Sequence, residues 1–210
     1  MRLDIELTNR CRLECIKCTR TYQNKTVEGM VIRDFPYEQF VRLAESKNYT
    51  QMFFGGTYGD CIYHPRFVDI VKVCKANDIA ITIHTNGSGK SMEWWESILK
   101  MLTPGDRLNF AMDGYKHTVG QYRVNFKEKD FEKNIKVLSR AKNKYKITSI
   151  WTFIPMRFNE HQIIESAKLA LKNNIVFMVK KSDRWYQLDD NMLPINTNLI
   201  AENSPTKKRK

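Results

Sequence analysis

The stretch Phe67-Val-Asp-Ile-Val-Lys-Val-Cys-Lys-Ala-Asn-Asp-Ile-Ala-Ile-Thr-Ile-His-Thr-Asn-Gly-Ser88 carries two hydrophobic periods back to back. Phe67, Ile70, Val71 and Cys74 recur at the spacing of one helix face, and Ile79 to Ile83 is a short run of strand formers. The run then meets Thr85-Asn86-Gly87-Ser88, a turn signal. A helix feeding a strand that ends in a polar turn is one half of a βαβ unit, and the fold depends on whether the half-unit repeats.

It repeats in both directions. Further strand-like runs are Leu3 to Leu7, Met52 to Phe54, Leu108 to Met112, Ile147 to Phe153 and Ile175 to Val179. Between them lie helical periods: Phe40, Leu43 and Ala44; Trp94, Ile98 and Leu102; Phe131, Ile135 and Leu138; Ile163, Ala167, Ala170 and Leu171. Pro65 suits a first helical position, and Asn159 with Gln162 has the spacing of a capping box. Such alternation predicts an α/β fold with parallel strands and right-handed crossovers. Six strands in about 180 residues are too few to close an eight-fold barrel. The expected architecture is an open, partial TIM-like (β/α)6 barrel over residues 1–183, followed by a C-terminal extension, 184–210.

Parallel folds of this kind collect ligands at the carboxyl ends of their strands. Those positions hold the unusual residues: Cys11, Cys15 and Cys18 after the first strand, Gly55-Gly56-Thr57-Tyr58-Gly59-Asp60 after the second, Thr85-Asn86-Gly87-Ser88 after the third and Asp113-Gly114 after the fourth. Three thiols within eight residues bridge one another only at the cost of strain, and five cysteines leave one over. A reduced compartment follows. The spacing suits three corners of a cubane iron-sulfur cluster, with the fourth iron left for substrate or cofactor. Zinc is the competing occupant, and would take a fourth ligand from Cys61, His64, Cys74 or His84.

Cys11-Arg-Leu-Glu-Cys15-Ile-Lys-Cys18 directly after an N-terminal strand resembles the signature of the radical S-adenosylmethionine superfamily. The resemblance extends over roughly Arg2 to Arg184. It is closest to the core of SPASM-type members, without their cysteine-rich extension, since no cysteine follows Cys74 here. The resemblance implies a 4Fe-4S cluster on Cys11, Cys15 and Cys18. It also implies reductive cleavage of S-adenosylmethionine to a 5′-deoxyadenosyl radical that abstracts a substrate hydrogen. By the same resemblance Gly55, Gly56, Tyr58, Gly59 and Asp60 take the methionine amino group, Asp60 standing where the family commonly has Glu. Thr85, Asn86 and Ser88 face the cofactor, Asp113 contacts ribose hydroxyls, and Arg123 in Gln121-Tyr122-Arg123 pairs with the cofactor carboxylate. Lys17 stands where the family often has an aromatic residue. Trp151 and Phe153 are read as core, and Cys61, Cys74 and His84 as packing residues.

The remaining features bear on partners. No run of about 18 apolar residues occurs, and Met1 leads straight into a strand-like segment, so a soluble cytoplasmic protein that meets no membrane is expected. Lys and Arg number 35 against 23 Asp and Glu, giving +12, which suits an acidic partner. Four of those charges are Lys207, Lys208, Arg209 and Lys210, and with Ser204-Pro205-Thr206 they read as a disordered end. A flavodoxin- or ferredoxin-type reductant is implied by the resemblance. A peptide or protein substrate is favoured over RNA, and Arg184-Trp185-Tyr186 is read as either a substrate mouth or a packing seam. Two readings of other classes stand beside the enzyme: a zinc-bearing nucleic-acid module, and a remnant that binds a cluster without turnover.

Overall fold

The computed structural model describes residues 1–26, 31–185 and 190–207. Six strands follow one another in space in their chain order: β1 (Arg2–Ile5), β2 (Gln51–Phe54), β3 (Ala80–Thr85), β4 (Arg107–Ala111), β5 (Thr148–Phe153) and β6 (Val176–Val179). Every neighbouring pair is parallel, and β1 and β6 remain edges, so the barrel is open. The connecting helices are α1 (Thr19–Thr26), α2 (Tyr37–Glu45), α3 (Phe67–Ala76), α4 (Met92–Leu99), α5 (Val119–Tyr122), α6 (Glu128–Asn143) and α7 (Ile163–Lys172).

The register divides each strand into two faces. Met52, Phe54, Ile81, Ile83, Leu108, Phe110, Trp151 and Phe153 are buried on the helix side. Aromatic contacts continue through that layer: Trp95 to Phe110 at 4.8 Å, Phe131 to Trp151 at 5.4 Å and Trp151 to Phe177 at 5.2 Å between ring centroids. Each adds about 0.5–1.5 kcal/mol beyond its buried area. Trp151 also donates its ring N–H to Met112 O at 2.7 Å, so the expected core role of Trp151 and Phe153 holds.

The other face carries Asp4 opposite Phe53, His84 opposite Asn109, and Ala111 opposite Thr152. Asp4, Phe53, His84, Thr152 and, just past β6, Lys180 line one cavity, so the sheet curls far enough to bring both edges around it. A closed barrel fills this face with branched apolar side chains. Here it is polar and open.

Three local expectations need correction. The first strand ends at Ile5, because beyond it the chain leaves β2 and pairs with residues 34–35 instead: Phe35 N–H donates to Leu7 O at 2.8 Å, and Thr8 bridges Asp34. Pro65 lies before the helix, whose N-cap is Arg66, since His64 accepts the Arg66 N–H at 3.1 Å and its carbonyl accepts that of Phe67. Asn159 makes no side-chain cap. Its Nδ2 donates to Asp113 O and Ile154 O, both at 3.1 Å, tying the ends of β4 and β5 together.

The C-terminal stretch is built into the molecule further than expected. Ser182 bridges Ile200, and Trp185 is buried with its carbonyl accepting from Ser204 Oγ at 3.2 Å. Ser204 and Thr206 are buried and hydrogen-bonded to each other, which overturns a disordered end at those positions. Lys208, Arg209 and Lys210 lie outside the described residues, as does Tyr186. Among the described residues no helix is long and apolar enough to cross a membrane.

Candidate functional site

The cavity, about 550 Å³, opens at the carboxyl ends of the strands, and Cys11, Cys15 and Cys18 all line it. The cysteine loop is held from several sides. Arg10 O accepts from Asp60 N at 2.9 Å, Glu14 N donates to Val124 O and Ile16 N to Tyr122 O, both at 3.1 Å. Lys17 forms an ion pair with Asp190, and Arg184 Nη1 reaches Lys17 O at 3.3 Å. Lys17, unusual at its position for the family, therefore fastens the loop to the C-terminal stretch.

Each thiol meets a different neighbour. Asn86 Nδ2 lies 3.7 Å from Cys11 Sγ, Arg123 Nη1 lies 3.8 Å from Cys15 Sγ, and Cys18 Sγ points to Thr57 O at 3.9 Å. Burial pushes the Cys11 thiol up to about 12, and Asp60 acts in the same direction. Cys15 is likewise raised by burial, with the Arg123 guanidinium opposing. A metal taken up here must displace those protons, so binding is coupled to proton release.

Three thiols lining one cavity are the donor set of a cluster that leaves one iron open. Among the described residues no three or more His, Cys, Asp or Glu side chains converge on one ion site. Three of the four proposed zinc ligands are occupied or elsewhere, and only His84 lines the cavity of the thiols. His64 uses Nε2 on Phe35 O and Nδ1 on Arg66 N–H, Cys74 is buried on α3, and Cys61 Sγ lies 3.7 Å from His84 O. A tetrahedral zinc centre needs four convergent donors.

Gly55, Gly56, Tyr58, Gly59, Asp60, Thr85, Asn86 and Arg123 line the cavity, so eight of the ten expected cofactor residues gather at one place. Their jobs differ from the expectation. A Cβ on Gly59 would stand 1.8 Å from Thr8 O, so that glycine permits close approach of the chain to itself. Asp60 is committed to its own fold: Oδ2 accepts from Thr85 Oγ1 and Asn86 N at 2.8 Å each, and from Asn86 Nδ2. Burial raises its pKa, with those hydrogen bonds opposing. Glu6, which the sequence reading passed over, is the carboxylate against the glycine turn, its Oε1 accepting from Tyr58 N at 2.6 Å and Gly59 N at 2.9 Å.

The other two expected residues lie off the lining. Ser88 is fully buried outside the cavity lining, where its N–H donates to Asn86 Oδ1 at 2.9 Å and its hydroxyl bonds the same oxygen. It therefore orients Asn86. Asp113 is also fully buried and away from the lining. Its Oδ1 accepts from Ile154 N at 2.8 Å, and its Oδ2 lies 2.8 Å from Arg123 Nη2. That placement sets Asp113 behind Arg123 rather than on the lining. Desolvation raises the Asp113 pKa, with Arg123 opposing. The Arg123 Nε is buried without a hydrogen-bond partner, which leaves donor capacity beside the cavity.

His84 and Lys180 also line the cavity, although the sequence reading gave His84 a packing role or, at most, a place among the candidate zinc ligands. Burial, then the charges of Lys180 and Arg123, push the His84 imidazole down to about 4. Arg184 lines the cavity, whereas Trp185 is buried away from its lining.

Comparison with known proteins agrees with this arrangement. A relative described as a tungsten-containing aldehyde ferredoxin oxidoreductase cofactor-modifying protein, from Pyrococcus furiosus, is 31% identical over 114 residues, 53% of this chain and 30% of the relative. SuiB of Streptococcus suis, crystallised with S-adenosylmethionine, superposes with a TM-score of 0.63 at 16% identity over 85% of this chain and 40% of SuiB. The enzyme anSMEcpe with bound AdoMet gives 0.59 at 14% identity over 86% of this chain and 53% of its own. The chain thus spans well under two thirds of these relatives, and the structural likeness is one of fold. The family model described as the radical SAM superfamily matches residues 5–170, most of the chain. The chain belongs to the radical SAM superfamily, whose cofactors are a 4Fe-4S cluster and S-adenosylmethionine.

Proposed function

We propose that the chain is a radical SAM enzyme in which Cys11, Cys15 and Cys18 hold the cluster and the adjoining strand-end loops hold S-adenosylmethionine. The observation that carries this reading is the meeting of three thiols, the glycine turn and the Thr85-Asn86 turn on one cavity. When bound, the pair of cofactors supplies one-electron reductive cleavage of a sulfonium and hydrogen abstraction from substrate by the resulting carbon radical. The residues divide the remaining work. Arg123 places a cation against Cys15 and offers its unpartnered Nε to an anionic group. Glu6 fixes the turn Tyr58-Gly59 and sets a carboxylate beside the place for an amino group. Asn86, oriented by Asp60 and Ser88, stands next to Cys11. Substrate enters from the open, polar face, and a peptide is the favoured class, with a flavodoxin- or ferredoxin-type protein as reductant.

The test is anaerobic reconstitution with iron and sulfide, comparing wild type with Cys15→Ala by absorbance and paramagnetic resonance, with S-adenosylmethionine added to each. The expected result is a reduced-cluster signal that shifts on adding the cofactor, is lost in the variant, and is accompanied by 5′-deoxyadenosine. A cluster that forms and never cleaves the cofactor favours the remnant. Zinc in place of iron favours the structural module.

A further inference from the structure

Among the described residues the sheet ends on β6, whose outer side has no strand beside it. Lys180 N–H donates to Phe153 O at 2.8 Å, and the register pairs Met178 with Thr152. In a parallel ladder alternate residues turn both backbone groups to the neighbour, so Phe177 and Val179 turn theirs outward. The side chains on this edge are apolar and exposed: Val176 by 51%, Met178 by 41% and Val179 by 36%. An apolar strand with a free row of donors and acceptors is a template for a further strand.

Charge narrows the occupant. Lys180, at the end of this edge, lines the cavity and makes no ion pair among the described residues. Arg184, on the same rim, bonds Lys17 O and Tyr122 Oη and, among the described residues, no carboxylate. Lys181 differs, because its charge acts on Glu202. A net charge of +12 disfavours a second copy of this chain on the edge and favours an acidic partner.

We propose that the free edge of β6 takes up an acidic peptide segment in extended conformation, as a seventh strand with a carboxylate at Lys180, and so lays it beside the cavity of the three thiols. The proposal rests on the peptide-substrate reading above, but its test requires no turnover. Backbone pairing along β6 supplies affinity without regard to sequence, and Lys180 supplies the preference for acidic residues.

The experiment is fluorescence anisotropy of a labelled peptide alternating valine and glutamate, with a valine–lysine peptide of equal length as control. Val179→Pro deletes an outward N–H while leaving the bonds of Lys180 to β5, and edge strands tolerate proline. Lys180→Glu reverses the charge. Each is expected to weaken the acidic peptide by about tenfold or more, and the lysine peptide should not bind to wild type. Amide hydrogen exchange should slow at Phe177 and Val179 on binding, which keeps the proposal testable should Val179→Pro misfold. Binding of both peptides alike, unchanged binding in Lys180→Glu, or no slowing at those amides would overturn it, as would a dimer formed through this edge. Peptide binding by a protein that cannot cleave S-adenosylmethionine would fail the enzyme reading and leave this one standing; turnover without peptide binding would do the reverse.

Discussion

Arg123 is held between Cys15 and Asp113: its Nη1 lies 3.8 Å from the Cys15 sulfur and its Nη2 lies 2.8 Å from the Asp113 carboxylate. Both partners are buried, so the guanidinium depends on Asp113 for its counter-charge. Removing one member of a buried pair costs about 3–5 kcal/mol, because the other is left uncompensated. Asp113→Ala is expected to lower unfolding free energy by that amount in urea titration of the apo-protein. A loss below about 1 kcal/mol would show that the site tolerates an unpaired Arg123.

That pair also shows how far the sequence was legible. The alternation of helical and strand periods specified six parallel strands, and the central strands bury the side their period predicts, whereas Leu171 of α7 and Val176 of β6 stay exposed. The cysteine spacing and the strand-end turns specified where the site lies. Side-chain direction was not legible. Asp113 follows β4 as Asp60 follows β2, yet one turns into the core and the other toward β3, and only the tertiary hydrogen bonds of Ile154, Thr85 and Asn86 decide it. Glu6 and His84 had a signal that went unused: Leu3 and Ile5 alternate with Asp4 and Glu6, and a charged set at every second position of a strand marks the face turned to the cavity.

At the opposite end of the barrel Asp106 is fully buried and gathers four donors. Its oxygens accept from Ile81 N at 2.6 Å and Thr103 N at 2.7 Å, and from Lys75 Nζ and Thr103 Oγ1. The carboxylate thereby joins α3, β3 and the turn before β4. Asp106→Ala strands those donors and is expected to cost about 3 kcal/mol or more, since each buried unsatisfied group carries a penalty of roughly 1–3 kcal/mol. Thermal unfolding monitored by circular dichroism reads the loss. Cys15→Ala, by contrast, should alter metal content with a smaller effect on apo stability.

The depressed His84 pKa makes the apo-protein sensitive to mild acid. Its imidazole stays neutral in the fold down to about 4, whereas an unfolded histidine takes up its proton near 6.5. The unfolded state therefore binds more protons between those values, and stability falls as pH is lowered from 6.5 to 4. The change is roughly 3 kcal/mol at most, since one pKa unit corresponds to about 1.4 kcal/mol. In His84→Gln the slope of unfolding free energy against pH across that window should shrink by the equivalent of one proton. An unaltered slope would assign the acid sensitivity to other groups.

Gly59 and Gly55 separate two reasons for a glycine in the turn after β2. A Cβ at Gly59 meets backbone, 1.8 Å from Thr8 O and 2.7 Å from the Asn9 Cα, on the segment that leads into the cysteine loop. A Cβ at Gly55 meets the Phe53 ring at 2.3 Å, a side chain that can turn away. Backbone cannot yield as a ring can, so Gly59→Ala must push the turn off the loop and break the bond from Asp60 N to Arg10 O. Overpacking of this kind costs about 1–3 kcal/mol. Its sharper consequence is positional, because the turn and the thiols must face one cavity. Gly59→Ala is therefore expected to retain its circular dichroism spectrum and lose most of its bound iron after reconstitution, while Gly55→Ala keeps both. Equal iron in the two variants would mean that the cysteine loop holds its cluster without the support of the turn, and the loop alone would then be the unit that assembles the site.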